Sequence, residues 1–152
     1  MTAPTPVART AARVLLLDAA GRLLLLRGLD PAAPERGTWW ITPGGGLDPG
    51  ESLREGAARE LFEEIGLRCS PAELGEQVHF EVNTFEWAGM RITQQQHFFV
   101  LRVDGHEVDT AGFSELEASS IIEHRWWDPE ALRTTGDVVF PEDLSALLDL
   151  IA

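Results

Sequence analysis

The sequence contains no tyrosine and only one cysteine, Cys69, among its 152 residues. One cysteine cannot form a disulfide within the chain, and a reducing cytoplasm is the simplest setting for such a protein. The longest apolar run near the N-terminus, residues 14–17, is far too short to cross a bilayer. No basic segment followed by a signal-type apolar stretch is found. These absences predict a cytoplasmic protein with no membrane partner.

Positive charge is also scarce. The chain has 12 lysine and arginine residues against 25 aspartate and glutamate residues, which gives a net charge of −13. Because proteins hold nucleic-acid backbones mainly with lysine and arginine, this balance argues against a DNA or RNA polymer as partner. It also repels a free nucleotide, so an acidic protein that acts on a phosphorylated molecule needs cations at its site.

The length suits one domain with a sizeable core. Residues 1–8 contain two prolines and no core pattern, so we expect a flexible N-terminal arm there and a single domain over residues 9–152. The alternation of apolar runs with helical patterns predicts a fold of the α/β or α+β class. Strands are expected near residues 12–17, 23–27, 39–42, 74–87, 91–103 and 121–127, helices over residues 52–65, 129–132 and 141–150, and a polar loop over residues 104–119.

The most informative segment is a glycine-rich turn that leads into a helix. Ser52 followed by Glu55 has the spacing of a capping box, which predicts the start of the helix, and Gly66 predicts its end. At about 100° per residue, one face of this helix is apolar. The residues of that face are Ala57, Ala58, Leu61, Phe62 and Ile65.

The other face of the helix carries Glu60, Glu63 and Glu64. These carboxylates are three and four residues apart, so they are neighbours, and each like-charged pair costs a few tenths of a kcal/mol. A divalent cation would relieve this repulsion, and magnesium prefers oxygen ligands and bridges carboxylates to substrate phosphates. The alternative is an ordinary solvated acidic face, because charge runs are common on protein surfaces.

The spacing of the whole segment decides between these alternatives. It is similar to the Nudix box, G-x5-E-x7-R-E-U-x-E-E-x-G-U, in which U is a bulky aliphatic residue. Every fixed position is filled, by Gly45, Glu51, Arg59, Glu60, Leu61, Glu63, Glu64, Gly66 and Leu67. The chain therefore resembles the Nudix hydrolase family, and the resemblance implies an α/β/α sandwich with a mixed β-sheet. It also implies hydrolysis of a nucleoside diphosphate linked to another group, with water attacking a phosphorus.

The resemblance further implies a metal site. Glu60, Glu63, Glu64 and the main-chain carbonyl of Gly44 match metal-binding positions of the family, so we expect Mg²⁺, or Mn²⁺ in its place. Arg59 matches a position that orients the loop against the helix, and we count it with the catalytic residues.

The sequence does not single out one general base. Glu60 or Glu64 can serve, because a metal-bound water needs a carboxylate within hydrogen-bond reach. Many members of the family use a glutamate from a loop far along the chain instead. The candidates for that role are Glu115, Glu117 and Glu123, and Glu117 is favoured because it lies in the polar loop before residue 121.

Substrate contacts are expected on both sides of the box. Arg27 and Arg36 flank the loop before the box and are candidates for binding phosphates. Gln95 and His97 share one face of an extended strand and would touch base or ribose if that face lines the cleft. By the same alternation, a further candidate for facing the cleft is Glu81 or Asn83 in the preceding strand.

Two adjacent tryptophans, Trp39 and Trp40, sit beside the glycine turn. We expect one of them in the core and the other against a base, and we take Trp40 as the substrate contact.

The substrate class is narrowed only in part. The absence of tyrosine excludes a substrate platform built on that residue, as in some diadenosine polyphosphate hydrolases. A small-molecule nucleotide is expected, and a nucleoside triphosphate or a modified nucleotide is favoured. The alternatives are an ADP-ribose or other nucleotide-sugar pyrophosphatase and a catalytically silent nucleotide-binding Nudix module. A homodimer is expected by analogy with the family alone.

Overall fold

The structure is a computed structural model that describes residues 3–151, and within them the chain forms eight strands and four α-helices. The strands are β1 Thr5–Leu17, β2 Leu23–Leu29, β3 Thr38–Ile41, β4 Gly44–Gly46, β5 Gln77–Trp87, β6 Met90–Arg102, β7 Ile121–Trp127 and β8 Val139–Phe140. The helices are α1 Leu53–Ile65, α2 Glu115–Ser120, α3 Pro129–Thr134 and α4 Leu144–Ile151. None of the helices in these residues is long and apolar enough to span a membrane.

All eight strands belong to one mixed sheet. The main path runs β5-β6-β1-β2-β3-β8, while β4 pairs with β1 and β7 pairs with β2. Strands β1 and β6 are parallel along their whole length, and β1 is antiparallel to β2 and β4. The sheet confirms the expected mixed fold and makes β1 one of its central strands.

A separate apolar core lies on each face of the sheet. Alternate residues of β1 and β2 point to opposite faces, because side chains alternate along a strand. One core contains Val14 and Leu16 of β1 together with Leu61 and Ile65 of α1. The other contains Leu15 and Leu17 of β1 together with residues of α3 and α4. Burial on both faces explains why these two strands read as continuous apolar runs.

The prediction of a flexible arm over residues 1–8 is wrong from Thr5 onward. Strand β1 begins there, and its register with β6 starts at the pair Thr5↔Met90. The main chain makes this pairing, so it requires no apolar side-chain pattern that the sequence would reveal. Met1, Thr2 and Ala152 lie outside the described residues.

Helix α1 has the limits that its caps predict. The Ser52 hydroxyl accepts a hydrogen bond from the main-chain N–H of Glu55, and the Glu55 carboxylate accepts one from that of Ser52, at 3.1 and 3.0 Å. Gly66 ends the helix in the left-handed conformation. The expected apolar face is wrong at Phe62, which is 44% exposed and lies under the guanidinium of Arg68.

Three elements differ from the sequence expectation. The polar loop over residues 104–119 contains most of α2, and the short strands β4 and β8 were not expected. Helix α2 begins with a capping box of its own, formed by Ser114 and Glu117. Its start therefore had a signal in the sequence, a serine followed three residues later by a glutamate.

Candidate active site

Three glutamates converge beside the glycine strand β4. Glu60, Glu64 and Glu117 each place a carboxylate oxygen within 4.8 Å of the other two. Glu60 and Glu64 stand one turn apart on α1, whereas Glu117 comes from α2. We call Glu60, Glu64 and Glu117 the three-carboxylate cluster.

Burial and mutual repulsion act on this cluster. Burial first, and then the charge of Glu60, raise the pKa of Glu64 well above its usual range. The main-chain N–H of Gly44 donates to Glu64 Oε1 at 2.6 Å, which opposes this rise only in part. Burial also raises the pKa of Glu60, and the charge of Glu117 adds to the effect. Such a group of buried acids is stable in ionised form only beside a positive charge.

The glycines of β4 give the cluster its space. A Cβ on Gly45 would lie 2.9 Å from the carboxyl carbon of Glu60. Gly44 has a φ of +135°, and a Cβ there would come 2.2 Å from the carbonyl oxygen of Ala12. Only glycine can therefore bring this backbone against the acids and against β1 at the same time.

Arg59 joins the loop before α1 to the cluster. Its guanidinium donates to both carboxylate oxygens of Glu51, to the carbonyl of Gly46, and to Glu60 and Glu63, at 2.8–3.0 Å. The hydrogen bonds from Arg59 lower the pKa of Glu51, and Glu51 and Glu60 in turn raise the pKa of Arg59. Arg59 thus fixes where Glu60 points.

The expected metal ligands are brought together only in part. Glu60 and Glu64 lie in the three-carboxylate cluster, but the side chain of Glu63 is 43% exposed and its carboxylate pairs with Arg59. The carbonyl of Gly44 accepts a hydrogen bond from Arg13 Nη1 at 3.0 Å. The roles of Glu63 and Gly44 as ligands stay predictions. Of the loop candidates for the base, Glu117 joins the cluster and Glu123 pairs with Arg27 at 3.1 Å.

The chemistry of the cluster fits a divalent cation. Carboxylate oxygens are the donors that hard ions such as magnesium and manganese prefer. Burial, and then the repulsion between the acids, raise the pKa of Glu60 and of Glu64 despite the nearby Arg59 and Arg13, so a bound cation would favour their ionised forms. Glu60, Glu64 and Glu117 can hold such an ion.

A cavity of about 610 Å³ opens from the cluster. Its polar end is lined by the glutamates, by Arg9 and Arg13 from β1, and by Gln94 and Gln96 from β6. The rest of the wall is largely apolar and aromatic, and includes Trp39, Ile41, Phe85, Trp87, Ile92, Phe98, Ile121 and Phe140. A ligand that fills this space needs a charged end and a flat apolar end.

The two arginines of β1 at the polar end were not expected from the sequence; Arg13 is buried and Arg9 is partly buried. Arg13 donates to Gln96 at 2.9 Å, and Arg9 donates to Gln94. Burial, together with the charge of Arg13, lowers the pKa of Arg9 to about 10, and burial lowers that of Arg13. Their sequence signal was present, since two arginines four residues apart in an extended strand share one face.

The tryptophan expectation is corrected. Trp40 is 2% exposed and packs edge-on against Trp127, with ring centroids 5.1 Å apart. Its indole N–H donates to Asp137 at 3.2 Å. Trp39 lines the cavity instead, because neighbouring residues of β3 point to opposite faces of the sheet.

The polar pair expected on β6 is corrected in the same way. Gln95 and His97 do share a face, but it is the face away from the cavity, where His97 Nδ1 pairs with Gln77 at 2.9 Å. The neighbouring residues Gln94 and Gln96 are buried and line the cavity instead. Alternate residues of β6 share a face, as predicted, but the prediction chose the wrong one of the two faces for the cleft.

The two arginines that flank the loop before the box lie in different places. Arg36 lines the cavity and donates to the carbonyl of Glu86 at 3.0 Å. Arg27 does not line it, because its guanidinium is bound to Glu123 and to the Thr38 hydroxyl, at 3.1 and 3.0 Å. The expectation that Arg27 binds substrate is corrected.

Comparison with known proteins identifies the family. The NUDIX domain model matches residues 7–148. The RNA pyrophosphohydrolase of Erythrobacter litoralis is 31% identical over 134 residues, which cover 82% of this chain and 78% of that protein. The protein of the same name from Novosphingobium aromaticivorans is 31% identical over 136 residues, covering 84% and 80%.

Solved structures agree on the fold. The MutT protein from Methanosarcina mazei Go1 superposes with a TM-score of 0.66 at 22% identity, covering 99% of this chain and 94% of that one. The MutT NUDIX hydrolase from Burkholderia pseudomallei gives a TM-score of 0.60 at 19% identity, covering 96% and 99%. The matched domain, the complete box and the shared fold show that this chain belongs to the Nudix family and is a hydrolase that acts on pyrophosphate bonds.

Proposed function

We propose that this enzyme hydrolyses the pyrophosphate bond of a free nucleoside triphosphate or a modified nucleotide, with Mg²⁺ as its metal. The observation that carries the proposal is that one cavity joins the three-carboxylate cluster to an aromatic end. A nucleotide has the matching parts, because its phosphates are charged and its base is flat and apolar on both faces.

The residues of the cluster have different proposed roles. Glu60 and Glu64 would hold the metal, which when bound neutralises phosphate charge and makes water a better nucleophile. Arg59 keeps the Glu60 carboxylate in place through its bond at 3.0 Å. Glu117 is our choice for the general base. It accepts from the main-chain N–H of Ser114, whereas Glu60 is tied to an arginine, so Glu117 is freer to take a proton.

Arg9 and Arg13 support binding of the phosphates. Arg13 is buried and Arg9 is partly buried at the polar end of the cavity, and this burial lowers the pKa of each. An anion beside them would offset the cost of removing these charges from water and would accept short, strong hydrogen bonds. In this acidic chain they supply positive charge where the phosphates would lie.

A substrate panel with Mg²⁺ tests the proposal. The panel contains nucleoside triphosphates, modified nucleotides, ADP-ribose and nucleotide sugars, and phosphate release is read after coupling to a pyrophosphatase or phosphatase. Glu60→Gln and Glu64→Gln should each lower turnover by roughly two orders of magnitude or more, the scale of a lost metal ligand or base. Glu76→Gln, at an exposed position outside the site, is the matched control.

Near-normal turnover of both variants at saturating Mg²⁺ would refute the roles of these glutamates. Binding without turnover of any substrate would favour the silent nucleotide-binding module, and exclusive cleavage of ADP-ribose or a nucleotide sugar would favour that alternative.

A second candidate is removal of pyrophosphate from the 5′ end of RNA. The names of the relatives from Erythrobacter litoralis and Novosphingobium aromaticivorans favour it. The net charge of −13, in a chain without lysine, argues against a long RNA path on the surface. A 5′-triphosphorylated oligoribonucleotide added to the panel separates the two, since a higher kcat/KM for the oligonucleotide than for ATP would favour the RNA function.

A further inference from the structure

Asn83 carries a buried acceptor at the wall of the cavity. Its Oδ1 atom has no hydrogen-bond partner among the residues that the structure describes, and the residue lines the cavity. The other buried side-chain atom in this condition, Nε1 of Trp127, belongs to a residue that does not line the cavity. A buried carbonyl without a donor destabilises a protein, so a ligand that supplies the donor gains affinity.

The orientation of the Asn83 amide is set by its neighbours on β5. Its Nδ2 donates to Glu81 Oε2 at 3.4 Å, and the other oxygen of Glu81 pairs with His79 Nε2 at 2.8 Å. An ionised carboxylate only accepts hydrogen bonds, so the NH₂ of the amide must face Glu81. Glu81 is therefore a positioning residue that leaves Oδ1 directed away from it.

Asn83 also stands at a suitable distance from the phosphate end. The sheet register places it opposite Gln94 on β6, and Gln94 opposite Arg9 on β1. Two strand spacings put the main chains of Asn83 and Arg9 about 10 Å apart, of the order of one nucleoside. Phe85 and Trp87 follow on the same face of β5 and line the same cavity, where a base can stack.

We infer that Asn83 selects the base of the substrate: its Oδ1 accepts a hydrogen bond from an amino group of the base. The inference rests on the proposed function, because it requires a nucleotide in the cavity. One N–H of the Asn83 amide is held by Glu81, so the atom of this side chain that is left without a partner is the acceptor Oδ1. Bases that present an amino group at this point are favoured over matched bases that lack it.

Three pairs of substrates that differ by one amino group test this inference. They are GTP and ITP, ATP and purine riboside triphosphate, and CTP and the triphosphate of the 2-pyrimidinone nucleoside. In at least one pair we expect a kcat/KM about tenfold or more higher for the amino-bearing member, because its loss leaves a buried acceptor unpaired. Ratios near one in all three pairs would overturn the inference.

Variants assign the effect to Asn83. Asn83→Ala should bring the ratio close to one by lowering kcat/KM for the amino-bearing substrate alone. Glu81→Gln should also lower the ratio, because a glutamine can donate as well as accept and no longer fixes the amide. Neither result is expected of a residue with a purely structural role, which would change both substrates equally. Glu76→Gln is the control, and Asn83→Ser replaces the alanine variant if thermal unfolding shows that the latter is not folded.

Binding measurements separate failure of this inference from failure of the proposed function. If no triphosphate is hydrolysed, the proposed function fails, and the dissociation constants of the corresponding monophosphates are compared instead. Trp39 and Trp87 line the cavity and report binding through their fluorescence. A preference of about tenfold for the amino-bearing monophosphate of one pair supports the role of Asn83, while equal affinities or no binding overturn it.

Discussion

Glu64 is the carboxylate of the site on which burial and the charge of a neighbouring acid act together. It is 3% exposed, it stands one turn from Glu60, and its carboxylate also accepts from the main chain of β4 at Gly44. Burial and the neighbouring acid raise its pKa well above 4.5, the ordinary value. The metal-free protein therefore holds a proton at Glu64 more tightly when folded than when unfolded.

This linkage predicts how stability changes with pH. In metal-free protein the contribution of Glu64 is most favourable below about pH 4.5 and is lost as the pH rises from there through its raised folded pKa. Glu64→Gln is neutral at every pH and lacks this loss. With EDTA present, the melting temperature of the wild type should therefore fall relative to that of the variant between pH 5 and pH 8. Added Mg²⁺ should restore the wild type and leave the variant nearly unchanged.

The same difference in melting temperature between the wild type and Glu64→Gln at pH 5 and at pH 8, measured by thermal unfolding, would contradict this prediction. The comparison with the variant is needed because the pKa of Glu51 is lowered by Arg59, so its contribution to stability runs in the opposite direction.

A methyl group at Gly45 tests the space around the cluster. Gly45→Ala would place a Cβ 2.9 Å from the carboxyl group of Glu60, so that side chain must move. We expect kcat to fall by about 10- to 100-fold with little change in melting temperature, because small displacements at a reacting centre are costly. Gly105→Ala is the control, since a Cβ there meets nothing within 4 Å and its φ is ordinary. Equal kcat values for the two variants would show that Glu60 tolerates displacement.

At the scale of elements, the active site depends on how β4 and the loop after it are fixed to α1. Arg59 bridges them through Glu51, Gly46 and Glu60, with both terminal nitrogens and Nε in use. A planar guanidinium can donate to all of these acceptors at the same time, whereas the ammonium group of a lysine is a compact charge that cannot span them.

Arg59→Lys should therefore lower kcat/KM by roughly tenfold and raise the Mg²⁺ concentration needed for half-maximal activity, while keeping the positive charge. Steady-state kinetics over a range of Mg²⁺ concentrations measures both effects. Arg91→Lys, at an exposed position whose nearest carboxylate is 3.9 Å away, is the control. Wild-type kinetics in the Arg59 variant would mean that charge alone suffices.

The parts of the site that the sequence predicts well are local. The limits of α1 and the grouping of Glu60 with Glu64 follow from caps and from the helical repeat, which need only a few consecutive residues. Alternation in β6 also predicts correctly that Gln95 and His97 share a face, but it cannot say which face is the concave one. That choice depends on where β1 and β5 lie beside β6, and a single strand does not encode it.

Arg9 shows a second reason for a missed residue. Its place in the site arises from a parallel partner strand far along the chain, with Arg9 and Gln94 separated by 85 residues. Spacing within β1 groups Arg9 with Arg13 on one face, but only the completed sheet brings both to the cavity.

At the scale of the whole molecule, β1 holds the two cores and the site together. It contributes to the core on each face, pairs with β4 beside the cluster, and carries Arg9 into the cavity. Its first residues pair with β6 from Thr5 onward.

A truncation tests whether this start of β1 stabilises the fold. Deleting residues 2–8 removes the pairing of residues 5–8 with β6 and should lower the melting temperature by about 5 °C or more, on a scale of about 1 kcal/mol per lost hydrogen bond. Amides of residues 90–93 should exchange faster with deuterium. Deleting residues 2–4 is the control and should change neither quantity. An unchanged melting temperature after the longer deletion would restore the view that this segment is a loose arm.

The parallel pairing of β1 with β6 also sets an order of events during synthesis. The first strand leaves the ribosome long before its neighbour at residues 90–102 has been made. Until then the nascent chain exposes one edge of an apolar strand, which a chaperone or another strand can bind. Closing this long loop must await the synthesis of residues 90–102, whereas the glycine-rich turn and its helix can form before then.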